Sequence, residues 1–399
     1  MGNTENPAIW FVNMCGSRNV GGAETARAQW SKALIAKGYP VVWWCPTFAE
    51  KRLDQNNPLP EDIDNRLLDS ISIPVMRRFP SPQSTATFLY SALREKPEKI
   101  VFNGQSDFFL PLMAGLIYLK QTEKIVQVFH GDPQPDQNVH HYKSLKQTIK
   151  YNLRPLRTLA ARRLYSHPDI TTVAVSRFVA QRVKDLRLAS SVLVYYPPTL
   201  EEVDCHPKVK QNEENPLKVL TVSRISPTKG LSLLAKIANA CAEQNVPAEF
   251  SLVGSVEDSA SLAYLQRLKQ EMGTNVSIVG SKVGRELCAS YTDSDIFLMP
   301  SSNEGLGLVT IEGLRHGSPV IARDIPTSRE IFTAKEPSAG VLVDPTDDVS
   351  ATRQTIQFLN QLAADRARLS QLSAAAFNVA ARFEPRRLTD EFISGVLIN

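Results

Sequence analysis

The sequence SSNEGLGLVTIE at residues 301–312 predicts a glycine-rich turn that leads into a helix. Its glycines allow the backbone to approach a ligand closely, and the apolar run after them is typical of the start of a helix. The first turn of a helix leaves backbone N–H groups without internal acceptors, so we expect such groups over residues 305–308. A turn of this kind binds an anion, typically a phosphate.

Two glutamates, Glu304 and Glu312, stand eight positions apart in this stretch. We expect Glu312 to lie two helical turns beyond Glu304. A carboxylate repels a phosphate, but when ionised it accepts two hydrogen bonds at once and therefore suits neighbouring hydroxyl groups. A phosphate site flanked by hydroxyl-binding acids indicates a nucleotide-sugar site.

A second motif, VLTVSRISPTKG, lies upstream at residues 219–230. Its β-type run ends in a loop that carries Arg224 and Lys229, and a helical pattern follows. Open α/β sheets bind ligands at the carboxyl ends of their strands. Two cations fixed there suit a diphosphate that gains negative charge as its bond to a sugar breaks.

Together these motifs resemble glycosyltransferase family 4 of the GT-B fold. The resemblance rests on GGAE at residues 21–24, on Arg224 with Lys229, and on the pair Glu304 and Glu312, and it extends in outline over nearly the whole chain. It implies an α/β protein with two facing, doubly wound Rossmann-like domains and a C-terminal helix that crosses back to the first domain. It also implies an enzyme that retains the configuration of the transferred sugar.

The order of predicted elements agrees with that fold. Short β-type runs alternate with helical patterns in both halves, which predicts parallel βαβ units. The runs lie at residues 9–14, 41–45, 100–103, 125–130, 171–175, 218–222, 249–253, 275–279, 295–299, 319–322 and 340–343. A chain of 399 residues fits two domains. We predict an N-terminal acceptor-side domain at 1–200, a polar linker at 201–216, a donor-side domain at 217–380 and a terminal helix at 381–399.

The resemblance assigns a role to individual residues. Four are expected to be catalytic: Arg224, Lys229, Glu304 and His130. Eight are expected to bind the donor: Gly21, Gly22, Val283, Gly305, Leu306, Gly307, Leu308 and Glu312. The acceptor side is expected to include Asn103, Gly104, Asp132 and Gln134. Within this set the cations hold the diphosphate, Glu312 binds the ribose, and Glu304 and His130 contact the donor sugar.

No metal or other cofactor is expected besides the nucleotide diphosphate sugar itself. The sequence Asp293-Ser294-Asp295 looks like the metal-binding motif of a different glycosyltransferase fold, but it precedes a β-type run and no further acids cluster beside it. In family 4 an aspartate at this place has a structural use. The cations and helix amides are expected to neutralise the charge that Mg²⁺ neutralises elsewhere.

Positive charge is concentrated in the first half of the chain. Residues 1–200 carry 25 Lys and Arg against 16 Asp and Glu, whereas residues 201–399 carry 20 against 25. The segment 143–163 is basic and has leucines at near-helical spacing, with Pro155 expected to kink it. Such a segment fits an anionic membrane surface and fits equally well a core-facing helix with a solvated basic side. Nucleic acid is a weaker partner, because no aromatic residues are interleaved with the basic ones.

Targeting signals are not evident. No apolar run reaches the ~18 residues of a spanning helix. The amino end has an acid at Glu5 and no basic region before its apolar stretch, unlike a signal peptide. We therefore expect a cytoplasmic protein, peripheral on the inner face of the plasma membrane if the basic segment binds lipid.

The favoured function is transfer of a hexose-type sugar, from a UDP-sugar in preference to other donors, to a glycan or lipid-linked acceptor. The resemblance suggests assembly of a bacterial cell-surface polysaccharide or lipopolysaccharide. One alternative keeps the fold and changes the reaction to that of a sugar-nucleotide epimerase or a phosphorylase. Another is a non-catalytic, membrane-attached protein that binds glycans or nucleotides.

Overall fold

A computed structural model describes residues 6–14, 21–47, 62–72, 78–133, 161–199, 216–257, 259–332 and 339–398. The chain divides into two compact units, of which the first comprises Met1–Leu200 with Pro385–Asn399 and the second comprises Glu201–Glu384. None of the helices in these described ranges is long and apolar enough to cross a bilayer.

The first unit is built on a parallel sheet with helices between its strands. In chain order its strands are β1 (Ile9–Asn13), β2 (Val41–Pro46), β3 (Ile63–Leu68), β4 (Ser70–Ser72), β5 (Arg78–Pro80), β6 (Lys99–Asn103), β7 (Ile125–Phe129), β8 (Thr171–Ala174) and β9 (Leu193–Val194). Its helices before the second unit include α1 (Gly22–Ala36), α2 (Pro82–Glu95), α3 (Leu110–Tyr118) and α4 (Arg177–Asp185). Strands β4 and β5 form a separate antiparallel pair.

The seven strands of the main sheet lie in the order β3-β2-β1-β6-β7-β8-β9. The direction of winding therefore reverses between β1 and β6, which are parallel neighbours with Asn13 opposite Asn103. Every residue of β1, β2 and β7 is buried. Continuous apolar strands of this kind are expected where helices cover both faces of a parallel sheet.

The second unit repeats this architecture with six parallel strands. They are β10 (Leu217–Val222), β11 (Ala248–Val253), β12 (Val276–Gly280), β13 (Ile296–Met299), β14 (Val320–Arg323) and β15 (Gly340–Val343). Their order in the sheet is β12-β11-β10-β13-β14-β15, so the winding reverses between β10 and β13. The helices are α5 (Leu231–Glu243), α6 (Ser259–Glu271), α7 (Gly284–Asp293), α8 (Leu308–Arg315), α9 (Pro326–Ile331), α10 (Asp348–Ala364) and α11 (Arg366–Ala380).

The end of the chain returns to the first unit as α12 (Pro385–Phe392), which continues as a π-helical turn, Ile393–Leu397. Phe392 stacks on Trp30 of α1 with ring centroids 4.0 Å apart. It also meets the ring of Tyr195 edge-on. These apolar contacts place the terminal helix in the core of the first unit.

The predicted fold class is confirmed by these two doubly wound parallel sheets. The returning segment begins at Pro385 rather than at the predicted 381, because Ala381–Phe383 extends α11 as a 3-10 turn of the second unit. There Arg382 donates a hydrogen bond of 3.1 Å to the carbonyl of Ile331. The predicted linker lies outside the described residues up to position 215.

Candidate functional site

Both sequence motifs of the second unit lie beside the point where its sheet reverses direction. The loop with Arg224 and Lys229 follows β10, and the loop with Glu304 follows β13. These strands are adjacent and parallel, and the hydroxyl of Thr221 on β10 donates to the carbonyl of Leu298 on β13 at 2.9 Å. The carboxyl edge at such a reversal is where open α/β sheets bind ligands.

A glycine lets the two loops touch. Gly230, which directly follows Lys229, has a left-handed backbone with φ of 66°. A Cβ at this position would lie 2.1 Å from the carbonyl oxygen of Pro300, at the start of the second loop. Only a residue without a side chain fits this conformation and this approach without strain. Position 230 therefore fixes the distance between the loops.

Arg323, at the end of β14, holds the same proline from the other side. Its Nε donates to the carbonyl of Pro300 at 2.9 Å, and its side chain is 7% exposed. Its remaining nitrogens bind the carbonyls of Asp344 and Pro345 and the carboxylate of Asp348. No motif in the sequence marks Arg323, which ties together the ends of β13, β14 and β15.

Lys229 and Glu304 form an ion pair between the tips of the two loops. The Nζ of Lys229 lies 2.7 Å from Oε1 of Glu304, and the two side chains are 18% and 12% exposed. A charge-assisted hydrogen bond with so little solvent around it is stronger than a surface pair. The structure thus brings together two of the four residues that we expected to be catalytic.

Arg224 lies in the same loop but in a more open environment. Its side chain is 56% exposed, and its Nη1 lies 3.4 Å from Oε2 of Glu257. An exposed pair of this kind contributes only ~0–1 kcal/mol, so it opposes the binding of another anion by Arg224 only weakly. Its guanidinium geometry suits a phosphate, which it can bind through two parallel N–H groups.

The glycine-rich loop ends where α8 begins. Gly307 is the N-cap of α8 with φ of 88°, and no side chain caps the helix. Residues Gly305 and Leu306 precede it and Leu308 opens the helix, so the expected helix start at this loop is confirmed. Glu304 lies in the loop itself, however. The expectation of two helical turns between Glu304 and Glu312 is therefore wrong, because the left-handed glycine keeps the segment before Leu308 out of the helix.

Glu312 lies on α8 and is bound by a residue that the sequence analysis missed. The hydroxyl of Tyr291 on α7 donates to its Oε2 at 2.8 Å. Burial raises the pKa of the Glu312 carboxyl to about 7, while the Tyr291 hydroxyl and the nearby charge of Arg315 act in the opposite direction. The carboxyl therefore changes charge near neutral pH.

The other predicted positions of this unit have simpler surroundings. Val283 is the N-cap of α7, after the edge strand β12. Asp295 is buried, and its carboxylate accepts a hydrogen bond of 2.9 Å from the amide of Lys218. Asp293 is exposed at the end of α7. Among the described residues, no three or more His, Cys, Asp or Glu side chains form a group that could hold a metal ion.

The first unit gathers a different set of residues at its own reversal point, beside the start of α1. Gly21 is the N-cap of α1 and Gly22 its first residue. A Cβ at Gly21 would lie 2.4 Å from Oε2 of Glu24, so this carboxylate folds back over the N-terminus of the helix. A negative charge is stabilised there by the helix dipole.

His130 directly follows β7 and is linked to α1 through Asn103. Its Nε2 lies 2.7 Å from Oδ1 of Asn103, and Nδ2 of Asn103 donates to the carbonyl of Ala23 at 3.2 Å. Burial lowers the pKa of His130 to about 4, although the charge of Glu24 opposes the shift. At neutral pH the imidazole is therefore uncharged, with Nε2–H donating to the asparagine oxygen.

The acceptor-side predictions are brought together only in part. Asn103 and Gly104 lie at the reversal point, and Gly104 has φ of 110°. Asp132 instead accepts a 3.1 Å bond from Arg182 of α4 and is 10% exposed on its side chain. Gln134 lies outside the described residues, as does the basic segment 143–163 except for its last three positions.

Comparison with known proteins gives two family matches. The model of the family described as "Glycosyltransferase Family 4" matches residues 20–198. The model of the family described as "Glycosyl transferases group 1" matches residues 204–374. Together they span most of the chain. Each match falls within one of the two units.

Curated relatives are similar over part of their length. A sulfoquinovosyl transferase from Arabidopsis thaliana is 26% identical over 213 residues, which cover 51% of this chain and 40% of that protein. A putative colanic acid biosynthesis glycosyltransferase from Escherichia coli is 23% identical over 249 residues, which cover 61% and 56%. The chain thus spans about half the length of the curated relatives it matches.

Solved structures are similar over the whole chain. The Anabaena protein HepE, solved in complex with UDP and glucose, superposes with a TM-score of 0.71 over 99% of this chain and 100% of that chain. The sequences are 17% identical, so the likeness establishes the fold alone.

Proposed function

The chain belongs to glycosyltransferase family 4, and from this premise we propose that it transfers a hexose-type sugar from a nucleotide diphosphate sugar, with retention of configuration. A UDP-sugar is the favoured donor. The HepE structure, whose fold this chain shares, was solved with UDP and glucose. The acceptor is proposed to be a glycan or a lipid-linked glycan.

The observation that carries the proposal is the ion pair of Lys229 and Glu304 beside the reversal of the second sheet. A diphosphate bound at the amides of residues 305–308 would draw Lys229 to itself and release the Glu304 carboxylate. That carboxylate would then accept hydrogen bonds from the donor sugar. One pair of side chains can therefore serve both ends of the donor.

In the proposed reaction, the bond between the anomeric carbon and the diphosphate oxygen breaks as the acceptor oxygen attacks on the same face. The acceptor hydroxyl proton passes to the departing diphosphate, so no protein base is required. Arg224, Lys229 and the amides at the start of α8 stabilise the developing charge. Because these groups supply the positive charge, we propose that the reaction needs no metal ion.

On the acceptor side, we propose that uncharged groups recognise hydroxyls. His130 is neutral at physiological pH, and Asn103 offers an amide beside it. Neutral donors and acceptors of this kind suit a sugar better than a phosphate. Assembly of a bacterial cell-surface polysaccharide or lipopolysaccharide is the proposed setting, supported by the similarity to the colanic acid biosynthesis protein.

The basic segment 143–163 is proposed to attach the enzyme to the cytoplasmic face of an anionic membrane, where a lipid-linked acceptor would lie. Each basic residue near such a surface contributes ~1 kcal/mol. Flotation with phosphatidylserine vesicles tests the idea. A variant with Lys146, Lys150, Arg154 and Arg157 changed to Ser should stay at the bottom of the gradient. Equal flotation of the variant would assign the segment a structural role.

The proposed function is tested by thermal unfolding with a panel of uridine, guanosine, adenosine and deoxythymidine diphosphate sugars. A bound donor at ~100 times its dissociation constant should add ~2.7 kcal/mol to the free energy of unfolding. The stabilising donor is then assayed with and without glycan acceptors. Turnover that depends on an acceptor supports transfer. Turnover without one favours an epimerase, and stabilisation without turnover favours a binding protein.

A further inference from the structure

We propose that Tyr291 is a positioning residue for nucleotide binding: its hydroxyl holds one oxygen of the Glu312 carboxylate, so that the other is presented to the ribose hydroxyls. This inference rests on the proposed function and on the role that the family resemblance assigns to Glu312, which is to bind the ribose. It adds a residue that makes no contact with the donor itself. It also predicts how the enzyme distinguishes a ribonucleotide from a deoxyribonucleotide.

The ring of Tyr291 has a fixed position. Its side chain is 1% exposed and belongs to α7. The His316 ring stacks on it with centroids 5.1 Å apart and an interplanar angle of 19°. The Phe297 ring packs against it at 5.8 Å. A ring held by two neighbours cannot swing, so its hydroxyl occupies one place.

The Glu312 carboxylate is held at one of its two oxygens. Tyr291 binds Oε2 at 2.8 Å, and the structure gives no hydrogen bond to Oε1 among the described residues. A carboxylate has two oxygens with ~4 acceptor positions in all. One neutral donor therefore fixes its rotation and leaves the second oxygen for the two hydroxyls of a ribose.

Ribose binding also depends on the charge of the Glu312 carboxyl. Accepting hydrogen bonds from two hydroxyls requires the ionised carboxylate, whereas burial raises the pKa of Glu312 to about 7. The ionisable side chains acting on it are Tyr291 from α7 and Arg315 from its own helix, and His316 contacts only its backbone carbonyl. Both the Tyr291 hydrogen bond and Arg315 favour ionisation. Loss of the hydroxyl should therefore move the pH dependence of binding upward.

The experiment measures the dissociation constants of uridine and guanosine diphosphate, and of their 2′,3′-dideoxy analogues, by calorimetry between pH 5.5 and 8.5. For the better ribonucleotide, wild-type affinity should rise with pH through neutrality. Tyr291→Phe should bind it about tenfold more weakly at pH 7, as expected for a lost hydrogen bond to a charged group. The rise should also shift to higher pH.

The dideoxy analogue separates this effect from titration of the ligand, because it carries the same phosphates. Wild type and Tyr291→Phe should bind it equally and with the same pH profile, which reports only the titration of the ligand. In a Glu312→Gln background, Tyr291→Phe should have no further effect. Tyr264→Phe is the matched control, since Tyr264 is a buried tyrosine of the same unit whose hydroxyl meets Ser232 instead.

The outcomes are distinct. If neither diphosphate binds the wild type, the proposed function is wrong and the inference falls with it. If one binds, but Tyr291→Phe keeps the wild-type pH profile and ribose preference, the positioning role is wrong while the function stands. A lower melting temperature with unchanged nucleotide binding would assign Tyr291 to stability alone.

Discussion

The reversal points of the two sheets share one strand arrangement but carry different side chains. In the second unit the loops after β10 and β13 carry charged groups, with Lys229 paired to Glu304 and Arg224 exposed nearby. In the first unit the corresponding edge has an uncharged His130 bonded to Asn103. One strand arrangement therefore carries two different sets of side chains, because the residues at the strand ends are free to vary while the strands keep the fold.

The largest expected effect tests the charged edge, which is formed by the loops after β10 and β13 of the second unit. Lys229→Ala should lower the turnover number by ~10²–10³, equivalent to ~2.7–4 kcal/mol, because the developing charge on the diphosphate loses a stabiliser. Steady-state kinetics with saturating donor would measure it. Lys236→Ala is the control, since Lys236 forms an exposed pair with Asp348 in the same unit. A near-normal rate for Lys229→Ala would contradict the assignment.

The next effect tests how the charged edge is built. Gly230→Ala should destabilise the second unit by ~1–3 kcal/mol, because its new methyl group overlaps the Pro300 carbonyl. Gly104→Ala in the first unit also places a side chain on a residue with positive φ, 110° against 66°, but no atom lies within 4 Å of the new Cβ. It should be milder, since backbone strain acts alone. Thermal unfolding compares them, and equal losses would mean that the contact between loops is unimportant.

A smaller effect tests the edge of the first sheet that carries His130. Because the pKa of His130 is about 4 in the folded chain and 6.5 is its ordinary value, the unfolded chain binds the proton more strongly. Its contribution to stability should be complete above pH 6.5 and should be lost as the pH falls towards 4. His130→Gln keeps an N–H donor without titrating, so its melting temperature should fall less over this range. His167→Gln should follow the wild type.

The last prediction is that removal of metal ions has no effect on the transfer rate. If cations and amides supply all the positive charge at the charged edge of the second unit, EDTA should leave the transfer rate unchanged. EDTA already saturated with Mg²⁺ controls for effects of the chelator itself. A strict requirement for Mg²⁺ or Mn²⁺ would show that the charged edge needs a metal ion. The two units would then also differ in whether they bind a metal.

Hydrophobic periodicity in the sequence did not predict every strand. Strand β3, with the sequence IDNRLL, is polar at several positions because it forms the edge of its sheet, and it was not predicted. Strand β1, buried throughout, was predicted to within one residue. Hydrophobic periodicity reports burial, so it identifies central strands better than edge strands.

The sequence by itself determined the two alternations of strand and helix, the glycine-rich turn at 305–308, and the residue types at the strand ends. These features depend on short-range periodicity and on backbone preferences that neighbouring residues set. Only the tertiary structure decided that Lys229 meets Glu304, that Arg323 holds Pro300 and that Tyr291 binds Glu312. Those partners lie 75, 23 and 21 positions apart along the chain. Their contacts, and the burial that shifts the pKa of Glu312, arise only when distant helices and strands pack together.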